Sequence, residues 1–227
     1  MATLTKTVLG RVSGSIGDIT FRQKNGSNFL STRPGSFTPG NDEASINRRG
    51  KFAFACKLAS SMVSIGSIKS LWEGIAGAGK SAYNTIVGTN YKFITTNSIT
   101  PQTFLTPGIG FGVKTNSFTL SSTGLQVVFD AIGANAGIDL NTEKSLQLSA
   151  IISLSDRVDE TVVEFCLLPL VSSNQVLAVD AASTFSIPLG NQESQLYDKY
   201  NVRKVLYALV TLDAGGNVVH YSSTCSG

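Results

Sequence analysis

The chain has 227 residues, 42% hydrophobic and only 15% charged, with a formal net charge of +3. That apolar share excludes a disordered chain, and a charged fraction well under the usual ~25% leaves hydroxyls to supply much of the polar surface. Cys56, Cys166 and Cys225 are odd in number and widely spaced, which argues against a disulfide framework or a thiolate zinc site.

The charge is unevenly placed. Residues 1–97 carry 12 Lys/Arg against 4 Asp/Glu, a net of +8, and residues 98–227 carry 6 against 11, a net of −5. Such a split suits a basic region meeting an acidic surface, on another protein or another copy of this chain, or meeting nucleic acid. "MATLTKTVLG" has no apolar core of the kind that marks a secretory signal, and no apolar run approaches the ~20 residues that span a bilayer. The expected location is the cytoplasm, or a virion if the chain is phage-encoded.

Residues 1–41 read as a basic β-hairpin arm. In "DITFRQKNGSNFLSTRP" the pair Asn25-Gly26 is the strongest short hairpin signal, and a two-residue turn there sets Lys24 opposite Ser27 and Phe21 opposite Leu30. Parity then puts Ile19, Phe21, Leu30 and Thr32 on one face and Arg22, Lys24, Phe29 and Arg33 on the other. A lone hairpin is barely stable in water, so one face is expected to dock. Pro34, Gly35, Pro39 and Gly40 end the sheet.

Residues 42–97 read as a small helical segment. Asn41 or Asp42 suits an N-cap, and Ala55, Leu58, Ala59, Met62 and Ile65 fall on one stripe. Further stripes follow at Ile68, Leu71, Trp72 and Ile75, and at Tyr83, Ile86, Val87 and Ile94. Gly50 costs the first helix about 1 kcal/mol. Residues 74–81, "GIAGAGKS", fit the phosphate-loop pattern at every position. Such a loop must leave a buried strand, whereas "SIKSLWE" before it has a helical period. The glycines are expected to join two helices, with Gly in the left-handed conformation ending the first.

Residues 98–117 read as a Gly/Pro-rich connector that buries Phe104 and Phe111. Beyond it the period becomes two, as in "SLQLSAIISL", where Leu146, Leu148, Ala150, Ile152 and Leu154 share a face. In "TVVEFCLLPL" the run Val163, Phe165 and Leu167 ends at Pro169, an edge signal. With "FTLSSTGLQVVFD", "QVLAVD", "STFSIPL", "RKVLYALVTL" and "VVHYSS" this totals about seven strands, the number of an immunoglobulin-like sandwich over 118–227. The fold class expected is thus α+β and mainly β.

Chemistry has few anchors. His220 is the only histidine and sits amid an alternating strand, far from any nucleophile elbow, so it reads as a surface or edge-strand imidazole. Asp156, Asp159, Glu160 and Glu164 match no calcium loop and read as a charged turn. No catalytic residue, cofactor site or metal site is expected. The remaining constellation is Arg22, Lys24, Phe29, Arg33, Arg48, Arg49 and Lys51, basic groups with one aromatic, which suit docking on an acidic protein and, as a second reading, nucleic acid.

The order "LGRVSGSIGDITFRQKNGSNFLSTRP", "NRRGKFAFACKLA", "LWEGIAGAGKSAYNTIVGTNYKFI" and a β-rich tail closing on "YSSTCSG" resembles an uncharacterised family of Bacteroidota and their phages, domain of unknown function 6266. The resemblance is carried by Gly14, Gly17 and Phe21, by Arg33-Pro34, and by Trp72, Tyr83-Asn84 and Asn90. It implies a Bacteroidota or phage setting and brings no activity or functional residues with it. The expected function is a structural protein of a phage particle that docks through its arm, as a homo-oligomer or within a larger assembly, with no small-molecule substrate. A nucleic-acid-binding accessory protein is the alternative.

Overall fold

The computed structural model describes residues 2–4, 13–24, 27–32, 35, 38–133 and 136–227. The protein is mainly β, with strand outweighing helix, and divides into two compact units, 1–46 and 47–227.

The first unit is a four-stranded antiparallel sheet in which β1 (Ala2–Leu4), β4 (Ser27–Thr32), β3 (Ile19–Lys24) and β2 (Gly14–Ile16) lie in that order. The central pair has the register of a two-residue turn: Lys24 faces Ser27, Phe21 faces Leu30 and Ile19 faces Thr32. The Asn25-Gly26 turn and the Arg33-Pro34 exit lie outside the described residues. The sequence reading anticipated a two-stranded hairpin and missed its flanking strands. A signal for one was present: Gly17, at φ +57°, opens the turn between Ile16 and Ile19, a conformation that glycine adopts without steric cost.

Helix α1 (Glu43–Ser64) starts at Asp42, whose Oδ2 accepts the Ser45 N–H at 2.9 Å. Within the second unit, α1 turns Phe54, Ala55, Leu58, Ala59 and Met62 inward, all essentially inaccessible, and Ile65 completes the stripe. Ile65 itself is extended, so the chain turns before α2 (Gly66–Ile75), which buries Ile68 and Trp72. Of the predicted stripe, Leu71 is half-buried and Ile75 is exposed. Helix α3 (Ala82–Asn90) buries Ala82, Ile86 and Asn90 and runs into a 3-10 turn, Tyr91–Phe93.

The β part consists of two antiparallel sheets. One holds β5 (Thr115–Ser121), β6 (Gly124–Phe129) and β10 (Ser183–Pro188), with β6 central. The other runs β12 (Val218–Tyr221), β11 (Tyr200–Asp213), β7 (Glu143–Arg157), β8 (Phe165–Val171). The short β13 (Cys225–Ser226) adds to β11 and β9 (Gln175–Val176) to β7. A helix that the sequence reading missed, α4 (Asn191–Tyr197), links β10 to β11.

The long strands β7 and β11 are covered on both faces. Leu146, Leu148, Ala150, Ile152 and Leu154, the predicted face, join Val205, Tyr207 and Leu209 against Leu125, Val127, Phe129 and Phe185 of the smaller sheet. On the opposite face, Ile151, Leu206 and Ala208 pack under Phe54, Leu58, Met62, Ile68 and Trp72. Helices, large sheet and small sheet therefore form three layers with two apolar interiors. Strand β8 is an edge strand, as Pro169 indicated. Because Ser172 N–H donates to Leu148, the even-numbered residues of β8 bond inward, so Pro169 places its missing N–H on the open edge.

The connector is fastened at many points. Trp72 Nε1–H donates to the Leu105 carbonyl at 2.9 Å, and Asn90 brackets the Phe104 peptide. The Thr224 hydroxyl accepts from both Leu105 and Thr106 N–H, at 2.9 and 3.0 Å, while the Tyr221 hydroxyl donates to the Pro107 carbonyl at 2.7 Å. Ile99, Leu105 and Pro107 are buried here, whereas Phe104 and Phe111, the expected residues, are half-buried. Bulk misled the reading; the backbone fastening decides which side chain turns inward.

Candidate functional site

The basic constellation falls on both units. In the first, Arg22 is exposed on β3 directly opposite half-buried Phe29 on β4, so a guanidinium and a phenyl ring share one sheet face. Lys24 occupies the position opposite Ser27, but its side chain, like all of Arg33, lies outside the described residues. In the second, Arg48 and Arg49 are exposed on α1, and Lys51 is half-buried with its ammonium 5.2 Å from the centroid of the Tyr91 ring.

The segment "GIAGAGKS" is a helix–loop–helix joint. Helix α2 runs through Ile75 before it, α3 begins at Ala82 after it, and no strand feeds the loop. Lys80 is exposed. Ser81, whose hydroxyl a phosphate loop would aim at a metal ion, accepts the Asn84 N–H at 3.2 Å as the N-cap of α3. The left-handed glycine is Gly79, at φ +75° inside the loop. The expectation that glycine ends the first helix is thus corrected: Ala76 follows it in extended conformation.

A buried carboxylate meets a half-exposed imidazole in a pair that no sequence spacing links. Glu143, the first residue of β7, has a fully inaccessible side chain, and its Oε1 lies 2.9 Å from His220 Nδ1 on β12. The same oxygen accepts the Asp139 N–H at 2.8 Å, while Glu143 N–H donates back to the Asp139 carbonyl at 2.8 Å, so the turn entering β7 is closed reciprocally. Oε2 is buried and makes no well-formed hydrogen bond.

Burial pushes the Glu143 carboxyl up, but Thr211, the Asp139 N–H and His220 together hold it below the ordinary glutamate value. His220 is half-exposed. The pair is 77 residues apart in sequence, and no spacing rule could have linked it. Only the reciprocal Asp139/Glu143 turn was legible locally. A carboxylate holding one imidazole nitrogen is the geometry that fixes a histidine tautomer.

The acidic group around 156–164 forms the turn from β7 to β8. Arg157 Nη1 donates to the carbonyls of Glu160 and Val162, at 3.0 and 2.8 Å, and Thr161 N–H donates to Asp159 at 2.8 Å. No group of three or more His, Cys, Asp or Glu suited to a metal ion occurs among the described residues. All three cysteines are free and half-buried, and burial pushes the Cys166 and Cys225 thiols up. Among the described residues no helix is long and apolar enough to cross a membrane.

Comparison with known proteins finds no matching family model and no matching curated protein.

Proposed function

We propose that this is a non-enzymatic structural protein, a component of a phage particle, which docks through its amino-terminal sheet. The observation that carries the reading is the state of that sheet. Among its described residues no apolar side chain is buried, while Ile16 is 72% and Ile19 43% exposed. A sheet whose described apolar side chains stay half-buried or exposed gains little from the hydrophobic effect, and a covering surface would supply what is missing. The opposite-sign halves of the chain favour a protein surface of acidic character.

The body supports an immunoglobulin-like reading. If β5, β6, β7, β8, β10, β11 and β12 are taken as strands A, B, C, C′, E, F and G, the sheets are A-B-E and C′-C-F-G. That is a seven-strand sandwich order in which the fourth strand joins the C-F-G sheet. Its helical cover over the C′-C-F-G face makes it a closed, preassembled block suited to repeated packing.

The resemblance to the Bacteroidota and phage family points to the same setting. Mass spectrometry of purified particles, joined to sedimentation analysis of the full chain and of a variant lacking residues 1–41, tests the reading. Incorporation and self-association that need those residues support it; a monomer absent from particles overturns it. Arg22 opposite Phe29 gives the nucleic-acid reading its one specific observation. That reading requires binding of labelled DNA or RNA at low salt that falls steeply as ionic strength rises.

A further inference from the structure

A polar cleft of the second unit lies where the helical layer meets the turn-bearing end of the large sheet, with a volume of about 410 Å³. Its walls are the first turn of α2 at Ser67 and Ser70, Gln147 of β7, Asn174 after β8, and Asn217 at the turn before β12. The volume falls within the ~300–1,000 Å³ range of small-molecule sites. Ser67 and Ser149 hydroxyls are 3.1 Å apart and pin α2 to β7.

The polar groups are oriented in advance. Gln147 Nε2 donates to Asn174 Oδ1 at 2.8 Å, which leaves the Gln147 carbonyl as acceptor and the Asn174 amide as donor. Asn217 is fixed twice by Asp213, through its N–H at 2.8 Å and its Nδ2 at 3.0 Å, which leaves its own carbonyl as acceptor. Val171, 41% exposed, adds an apolar patch beside these amides. Lys, Arg, Asp, Glu and His are all missing from the lining.

We propose that this cleft binds a neutral polyhydroxylated ligand, one sugar residue in size. Paired donors and acceptors on amides match vicinal hydroxyls, each of which both gives and receives a hydrogen bond. The valine patch suits the C–H face of such a ring. A phosphate or carboxylate ligand would meet no countercharge and would lose its hydration with little return. Without an aromatic platform the affinity is weak, in the millimolar range.

The test is a titration of the ¹⁵N-labelled full chain with glucose, galactose and N-acetylglucosamine in turn, followed by NMR. Saturable movement of the Gln147, Asn174 and Asn217 side-chain amides with at least one sugar is expected, weakened about tenfold or more by Asn174→Ala and Gln147→Ala. Both variants alter accessible side chains, so an unchanged spectrum elsewhere verifies folding. Absence of saturable movement with all three sugars overturns the site. So does binding that survives both variants. Sodium sulfate saturating the same amides in preference to the sugars overturns the neutral class.

Discussion

Asn90 and the backbone of Phe104 pair as two strand residues would: the Phe104 N–H donates to Asn90 Oδ1 at 2.8 Å, and Asn90 Nδ2–H donates to the Phe104 carbonyl at 3.0 Å. Asn90 is 1% exposed, so both bonds are shielded from water. One amide side chain at the end of α3 thereby stands in for a missing strand and holds the connector in place.

Asn90→Ala leaves a buried donor and acceptor unpaired and is expected to lower unfolding free energy by about 2–4 kcal/mol. Asn90→Asp keeps the acceptor but buries a charge and sets an oxygen against the Phe104 carbonyl, so it is expected to cost at least as much. Chemical denaturation of the two variants beside the parent checks the order; equal stability of all three contradicts the pairing.

Glu143 gives the protein an acid-sensitive fastening. Its folded pKa is depressed, so its contribution is fully present above the unfolded glutamate value of about 4.3 and is lost as pH falls through the folded one. Glu143→Gln is expected to be about 1–3 kcal/mol less stable near neutrality, where a charged acceptor is replaced by a neutral amide. The difference between parent and variant should shrink below pH about 4. Denaturation midpoints across pH read this directly, and a difference that stays constant into acid refutes it.

Gly50 sits inside α1 without need of its conformational freedom. A Cβ there would lie 3.7 Å from Thr96, ordinary van der Waals contact. Gly50→Ala should therefore raise stability by about 0.5–1 kcal/mol, from helix propensity and lost unfolded-state entropy. A lower thermal midpoint than the parent would show that this helical turn is strained.

Gly110 is the opposite case. A Cβ would clash with the Tyr221 carbonyl oxygen, because the connector runs against the end of β12 there, with Phe111 N–H donating to that oxygen at 3.0 Å. Gly110→Ala is expected to cost about 2–3 kcal/mol through forced separation of the two segments. Faster amide exchange at Phe111 and Ser223 would report the same opening.

Local chemistry made much of this architecture legible. The spacing of Ala55, Leu58, Ala59, Met62 and Ile65 set a buried helical stripe, the two-residue turn set the register of β3 and β4, and Pro169 marked an edge strand. Each depends on a periodicity or a fixed dihedral angle, which the chain carries within a few residues. Of the candidate site, the sequence placed Arg22 and Phe29 on one face, because register and parity fix it.

Tertiary structure decided the rest. Alternation in β7 revealed one buried face, yet Ile151 and Ser153 on the other are equally inaccessible, because helices distant in sequence lie over them. The choice of Leu105 over Phe104 as the buried connector residue follows from bonds to Trp72, Asn90 and Thr224, and the meeting of Glu143 with His220 follows from β11 lying between their strands. Period and propensity act along the chain, whereas burial and hydrogen-bond partnership are settled between segments, by whatever the fold sets face to face.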